Sequence, residues 1–224
     1  MSQPPTKGAA GRIHVATQIR NALRCGDLVP GQRLVEQDLA DQYGVTRNSA
    51  REALFDLAAD DVVELIPHRG ARIRVVSVEE AVQITECRAS LERLCARRTA
   101  DRASKQERDE LVELGVRLQT AVAEGAWETY SALNRRLHDL IIDFSGQVVA
   151  KRQLDRLNVQ MVRFQFRLAQ RPGRPRESLP QLLAIIEAVT AGDPDAADAA
   201  VAAQLAGVTE ELRSARAFTG LSGT

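Results

Sequence analysis

The chain is poor in the residues that mark several protein classes. Its 224 residues carry a formal net charge of zero, one tryptophan and three cysteines. No run of about 18 apolar residues is present, so a membrane span is not expected. Cys25, Cys87 and Cys95 lack CxxC spacing, which favours a reducing cytoplasm. Residues 1–11 lack an apolar signal-peptide core and are expected to form a disordered tail.

Two further function classes have little support in the residues. The three histidines are scattered, and no nucleophile with a nearby base is evident, which argues against an enzyme. A redox sensor using Cys87 and Cys95 is an alternative, but the two lie eight residues apart in a predicted helix. That separation is too long for a disulfide within one chain, so such a sensor would need a bridge between two chains.

The most informative stretch is GVTRNSAREAL at residues 44–54, which follows a short helical pattern. Gly44 suits the left-handed exit of a helix, and Thr46 is a good N-cap for the next one. The first turns of that next helix present side chains that can reach phosphates and base edges, namely Arg47, Asn48, Ser49 and Arg51. The stretch therefore predicts the turn and recognition helix of a helix-turn-helix that binds double-stranded DNA.

Two short strands are predicted directly after this helix. Residues 62–66 (VVELI) read as a short strand, residues 67–70 read as a turn ending in glycine, and residues 71–75 alternate as a strand does. A hairpin in this position predicts a winged helix-turn-helix with Arg69 and Gly70 at the wing tip and Arg72 on the second strand. The alternative for these arginines and for those of the recognition helix is that they form solvated ion pairs.

The remainder of the chain reads as helix. Six helical segments are predicted, at 78–102, 104–124, 126–144, 147–171, 175–191 and 194–217. The predicted fold is therefore mainly α, with an N-terminal winged helix-turn-helix and a C-terminal antiparallel six-helix bundle. The predicted domains are a DNA-binding domain at 12–76, an effector-binding and dimerisation domain at 77–218, and a flexible tail at 219–224.

Several motifs together resemble one known family. They are PGQRL at 30–34, GVTR at 44–47, REAL at 51–54, Arg69-Gly70, ECR at 86–88, Leu91-Glu92, Leu137-His138 and AVTAGD at 188–193. In order and spacing they resemble a GntR-type transcriptional regulator of the FadR subfamily, whose C-terminal module is called FCD. The six-helix count is similar to the VanR-like branch.

This resemblance implies roles in DNA binding for particular residues. Arg47 and Arg51 would enter the major groove, and Asn48 and Ser49 would contact phosphate or base edges. Arg69 and Gly70 would enter the minor groove, and Arg33 and Gln37 would contact phosphate. Thr46 and Arg72 complete the expected DNA-facing set. Two departures from the family pattern are Val35, where a Ser or Thr cap is usual, and Ser49-Ala50, where many members have Pro-Val.

The resemblance also bears on metal binding. Many FCD modules hold a divalent metal through one Asp and three His, and the matching positions here are Asn134, His138, Leu182 and Gln204. Only His138 is a good metal ligand, whereas zinc takes about four N, S or O donors. We therefore expect no metal and no other cofactor, with His138 as a hydrogen-bonded interior histidine; a metal-dependent ligand sensor is the alternative.

An effector pocket without metal must bind its ligand by other means. Arg88 occupies the position where the family often places a cation facing a carboxylate, and Asn134, His138 and Gln204 would supply neutral hydrogen bonds. Met161, Phe164 and Leu182 would line an apolar part. The expected effector is a small acidic or lipidic metabolite. Alternatives are an ion pair of Arg88 with Glu86 or Glu92, and a vestigial pocket in a DNA-binding dimer.

The resemblance implies a mechanism as well. A cytoplasmic homodimer would bind the two halves of a palindromic operator, since the symmetry of the protein is mirrored in its DNA site. An effector that favours one arrangement of the bundles would change the operator affinity. Repression is the more common outcome in such families.

Overall fold

The computed structural model describes residues 7–67, 69–161 and 173–219. These residues divide into two compact units. The first contains the described residues up to Ser77 together with those from Arg156 to Met161, and the second contains Val78 to Asp155 and the described residues from Gly173 onward. No helix within the described residues is long and apolar enough to cross a membrane.

The first unit contains three helices and a small sheet. The helices are α1 (Gly8–Cys25), α2 (Glu36–Tyr43) and α3 (Arg47–Ala59), and the strands are β1 (Arg33–Leu34), β2 (Val63–Ile66) and β3 (Gly70–Ile73). The sheet is antiparallel in the order β1-β3-β2. Residues of α1, α3 and the sheet close one apolar core around Ile19, Leu54 and Leu57. This arrangement is the predicted winged helix-turn-helix.

The junction between α2 and α3 forms as the sequence indicates. Gly44 ends α2 in the left-handed conformation with φ of 61°, and its N–H bonds the carbonyl of Ala40. Thr46 is the N-cap of α3, since its side chain accepts a hydrogen bond from the N–H of Ser49. Val35, by contrast, caps α2 with no side-chain hydrogen bond. The predicted loss of a cap at Val35 is therefore confirmed.

Two elements of the first unit differ from the sequence-based expectation. The helix α1 begins at Gly8, so residues 8–11, assigned to a disordered tail, are helical. The hydroxyl of Ser49 lies 3.4 Å from the carbonyl oxygen of Gly8, which ties this helix start to α3. The strand β1 was not predicted, because a strand of two residues has no period that a sequence can reveal.

The end of α7 (Val148–Gln160) also belongs to the first unit. Val159 is buried in the core of that unit. The Nε atom of Arg156 lies 2.9 Å from a carboxylate oxygen of Asp60, and Gln160 donates to the backbone carbonyl of Asp60. Domain prediction from sequence assigns contiguous stretches, so it placed these residues in the helical domain at 77–218.

The second unit is built from helices alone among its described residues. They are α4 (Val78–Arg102), α5 (Lys105–Ala123), α6 (Trp127–Phe144), the first part of α7, α8 (Arg174–Ala191) and α9 (Pro194–Thr219). The helix α4 packs along α6, α8 and α9, and α5 packs against α6 and α8. Leu111, Leu118, Leu137, Leu182 and Ile185 are fully buried between them. Residues 162–171 of the predicted fourth segment lie outside the described residues.

Candidate DNA interface and interior polar cluster

The first two turns of α3 present two arginines to solvent. The side chains of Arg47 and Arg51 are 69% and 61% exposed. They are four residues apart, so both project from the same side of the helix. Asn48 is also exposed and donates a hydrogen bond to Glu52. An exposed pair of guanidinium groups at the start of a recognition helix can reach base edges in the major groove.

Three of the expected DNA-facing arginines, Arg47, Arg51 and Arg72, are paired with carboxylates. The Nε atom of Arg47 donates to Glu36 at 2.9 Å, and the Nε atom of Arg51 lies 3.9 Å from the other oxygen of the same carboxylate. Arg72 on β3 pairs with Glu64 on β2 at 2.7 Å. The alternative of solvated ion pairs therefore describes the protein without DNA. Such exposed pairs contribute only about 0–1 kcal/mol each to stability.

Ser49 lies elsewhere than expected. It is only 1% exposed, and its hydroxyl lies 2.9 Å from that of Thr46. The third residue of a helix that begins at Arg47 faces inward here, toward α1. Ser49 is therefore not available to phosphate or bases in this conformation, which corrects its predicted role. Thr46, for its part, uses its hydroxyl for the helix cap.

The wing is held by close contacts between β1 and the hairpin. The guanidinium of Arg33 donates through Nε and Nη2 to the backbone carbonyl of Arg69, at 3.3 and 3.2 Å. Gly70 has φ of 88°, and a Cβ atom there would lie 2.2 Å from the carbonyl oxygen of Leu34. Arg33 therefore supports the wing turn from β1. Gln37 is exposed on α2 and donates to Asp41.

A polar cluster lies inside the second unit, between α4 and α6. The Nη2 atom of Arg88 donates to Glu92 at 2.7 Å, and Nδ1 of His138 lies 2.9 Å from the other oxygen of that carboxylate. The side chains of Arg88 and Glu92 are 9% and 4% exposed. Glu92 therefore binds both cluster partners, and it was absent from the predicted site.

Electrostatics keeps Glu92 ionised. Burial alone would raise the pKa of this carboxyl, but the charge of Arg88 and the contact with His138 outweigh burial and lower the pKa from 4.5 to about 2. The charge of Arg88 is therefore balanced within the protein. The ion pair with Glu92, given as an alternative for Arg88, is therefore present, and the role of Arg88 in effector binding stays a prediction.

Some interior polar atoms have no protein partner among the described residues. Three of them are Nε of Arg88, Oδ1 of Asn134 and Oε1 of Gln204, which lie on α4, α6 and α9. Leu182 is fully buried in the apolar core of the same unit. Met161 is buried and is grouped with the first unit. Phe164 lies outside the described residues.

The four family metal positions do not fit a divalent metal. Leu182 offers no donor, Asn134 and Gln204 offer neutral amides, and Nδ1 of His138 faces Glu92. Within residues 7–67, 69–161 and 173–219, no group of three His, Cys, Asp or Glu side chains could hold a metal ion. One imidazole and two amides fall short of the donor set that zinc requires.

The two cysteines whose side chains are described differ in environment. Cys87 is exposed, whereas Cys95 is buried, and burial raises the pKa of the Cys95 thiol. A thiol in this state is a poor nucleophile, since the thiolate is the reactive form. Cys87 and Cys95 are both free thiols here.

Comparisons with protein families agree with these two units. The family of bacterial regulatory proteins called gntR matches residues 12–73, and the FCD domain matches residues 83–207. The HTH-type transcriptional repressor RspR of Escherichia coli is 23% identical over 189 residues, which cover 84% of this chain and 83% of that protein.

Two other relatives are matched over shorter stretches. The HTH-type transcriptional regulator McbR of Escherichia coli is 27% identical over 66% of this chain and 67% of its own length. The regulator YdhC of Bacillus subtilis is 28% identical over 63% of each chain, so the match spans slightly less than two thirds of that relative.

Solved structures show the same fold. The structure of McbR from Escherichia coli matches with a TM-score of 0.80 and 23% identity, covering 93% of this chain and 100% of that one. A GntR-type regulator from Rhodococcus matches with a TM-score of 0.71 and 23% identity, covering 92% of this chain and 99% of that one.

Proposed function

This chain belongs to the gntR family of bacterial regulatory proteins and carries an FCD domain, and on that premise we propose that it binds a palindromic operator as a homodimer and releases it when a metabolite binds the helical unit. It is a transcriptional regulator, as its relatives are, and not an enzyme. Its place of action would be the cytoplasm.

The observation that carries the DNA-binding role is the start of α3. Thr46 caps this helix, and Arg47 and Arg51 project from its first two turns with more than half of each side chain exposed. A guanidinium can bind the O6 and N7 atoms of guanine through two hydrogen bonds, which discriminates against other bases. Two such helices in a homodimer would read two half-sites.

The proposal includes repression as the outcome of DNA binding and a homodimer as the binding form. The relative RspR carries the name of a repressor, which supports repression here. A repressor can act simply by occupying its operator. Assignment to the VanR-like branch stays a prediction from the number of helices.

The effector would bind at the interior polar cluster of the second unit without a metal. Arg88 keeps a buried Nε donor, and Asn134 and Gln204 keep buried oxygen atoms, none with a partner among the described residues. Leaving such groups unpaired costs about 1–3 kcal/mol each, so a polar ligand would recover that energy. In a vestigial pocket, these unpaired polar side chains would be expected to have been replaced by apolar ones. An acidic or lipidic metabolite with a polar head remains the proposed effector.

The DNA role is tested by comparing operator affinity with random-duplex affinity. The operator is first selected by the purified protein from a pool of random duplexes, and binding is then measured by fluorescence anisotropy. Arg47→Ala is expected to lower the ratio of the two affinities about tenfold or more, by the usual value of one bidentate base contact. Arg117→Ala, an exposed arginine of α5, is the matched control. A variant at Arg47 that still selects the operator as the wild type does would refute the assignment of α3.

The effector and metal parts are tested by native mass spectrometry with elemental analysis of the same sample. A dimer with an added organic mass and no metal supports the proposal. A stoichiometric divalent metal would contradict the metal-free pocket. A dimer with no added mass, and with no stabilisation by a panel of organic and fatty acids, would favour the vestigial pocket.

A further inference from the structure

Glu36 carries the carboxylate that pairs with both arginines of the recognition helix. It is the first residue of α2, and its side chain is 20% exposed. One carboxylate oxygen accepts from Nε of Arg47 at 2.9 Å, and the other lies 3.9 Å from Nε of Arg51. The carboxylate thus bridges two turns of α3 from the neighbouring helix.

The geometry of these contacts leaves the outer edge of each guanidinium for DNA. Glu36 approaches Arg47 and Arg51 at Nε, which is one of five N–H donors in the group. The Nη1 and Nη2 atoms can still form a bidentate pair with a guanine or a phosphate. Arg51 is further held by the ring of Phe55, 5.6 Å from its guanidinium carbon. Contact at Nε therefore orients the arginines without occupying the edge that reads bases.

The charges support an orienting role as well. Arg47 and Arg51 are like charges at positions i and i+4, an arrangement that is mildly destabilising on a helix. The carboxylate between them offsets their repulsion and lowers the attraction of each to any phosphate. An arginine restrained in this way gains less binding energy from non-specific contacts with phosphate. It can still form its hydrogen bonds with a correctly placed base.

From these observations we infer that Glu36 is a positioning residue for DNA recognition, which holds Arg47 and Arg51 in the orientation that reads base edges and limits their use on phosphates. This inference rests on the proposed DNA-binding role of α3. Glu36 itself touches no base; it acts through the two arginines.

The test compares Glu36→Gln with Asp38→Asn. Asp38 is the other acidic residue in the first turn of α2, and it makes no ion pair within the described residues. Both substitutions remove one negative charge near the same helix start, so they have similar effects on the helix dipole and on net charge. Only Glu36→Gln removes the charge that bridges the arginines.

The expected result is a loss of specificity with retained DNA binding. Glu36→Gln lowers the ratio of operator to random-duplex affinity about tenfold, which is within the range for one bidentate base contact. Its random-duplex affinity becomes steeper in salt by about 0.9 in the log–log slope for each arginine that moves to a phosphate. Asp38→Asn leaves both the ratio and the slope near those of the wild type. A helix-start defect alone would lower the melting temperature of both variants and would not steepen the slope.

A double-mutant comparison shows whether Glu36 acts through the arginines. In a background of Arg47→Ala and Arg51→Ala, Glu36→Gln is expected to change the ratio no further. The inference is overturned if Glu36→Gln behaves as Asp38→Asn does, or if it lowers the ratio equally in that background. If Arg47→Ala itself leaves operator selection intact, the proposed function fails first, so the two failures are distinguishable.

Discussion

Replacing Glu92 with glutamine is expected to cost the helical unit about 3 kcal/mol of unfolding free energy at pH 7. The pKa of this carboxyl is lowered from 4.5 to about 2 in the folded protein. At about 1.4 kcal/mol per pH unit, that difference corresponds to about 3 kcal/mol. An independent estimate agrees, because removing one partner of a buried ion pair costs about 3–5 kcal/mol. Glutamine keeps the shape but leaves Arg88 buried without its counter-charge.

The same reasoning gives the pH dependence. A carboxyl with a lowered folded-state pKa stabilises the fold fully above its ordinary pKa of 4.5, and that stabilisation is lost as the pH falls toward 2. The Glu92→Gln variant has no carboxyl to protonate there. The stability difference between wild type and variant is therefore expected to be constant near neutral pH and to shrink between pH 4.5 and 2.

Urea unfolding followed by tryptophan fluorescence measures this difference directly. Trp127 is the single tryptophan of the chain and lies at the start of α6, the helix that carries His138. The control is Glu110→Gln, because Glu110 pairs with Arg136 at the surface and should contribute less than about 1 kcal/mol. Protein concentration is held fixed, since association shifts apparent stability. A loss below about 1 kcal/mol at pH 7, or a difference that does not shrink in acid, would refute the reasoning.

Three further outcomes are expected. Thr46→Ala should lower the unfolding free energy by about 1 kcal/mol, because α3 loses its cap, and it should also weaken operator binding. Thr46→Ser, which keeps the capping hydroxyl, should retain the stability and the operator affinity of the wild type. Melting curves and fluorescence anisotropy measure the two effects. Gly70→Ala should lower the melting temperature by at least the equivalent of about 1 kcal/mol, because its φ is 88° and a Cβ would meet the carbonyl of Leu34; an unchanged melting curve would contradict the wing geometry. Adding zinc or EDTA should leave the melting temperature unchanged, and a zinc-dependent increase would show that His138 belongs to a metal site.

Much of the fold could be predicted because its signals are local. Gly44 and Thr46 mark the end of one helix and the start of the next, and the strands of the wing alternate over several residues. The strand β1 has only two residues, so its existence depends on pairing with β3, about 40 residues away. The packing of Arg156 on Asp60 within the first unit depends on a contact across an even longer separation.

The arginines of the candidate DNA interface could be predicted from the sequence, whereas the carboxylate that pairs with them could not. Arg47 and Arg51 stand out because arginines at the start of a recognition helix are typical of DNA binding. Glu36 lies 11 residues before Arg47 in another helix, and only the tertiary fold brings them together. The ion pair of Arg88 and Glu92, by contrast, could be predicted because the two residues are spaced i and i+4 on one helix.

The carboxylates of Glu36 and Glu92 each bridge two partners but differ in exposure, and substitutions at the two positions are therefore expected to have different effects. Glu36 is 20% exposed and the side chains of its partners are more than half exposed, so its ion pairs contribute little to stability. Glu92 is almost fully buried, so its contacts with Arg88 and His138 are costly to break. A ligand of the helical unit would therefore gain more by binding the unpaired Nε of Arg88 than by displacing Glu92, whereas Glu36 can stay at the Nε atoms of Arg47 and Arg51 while their Nη atoms contact DNA. Substitution of Glu36 should accordingly change recognition at nearly constant stability, and substitution of Glu92 should change stability first.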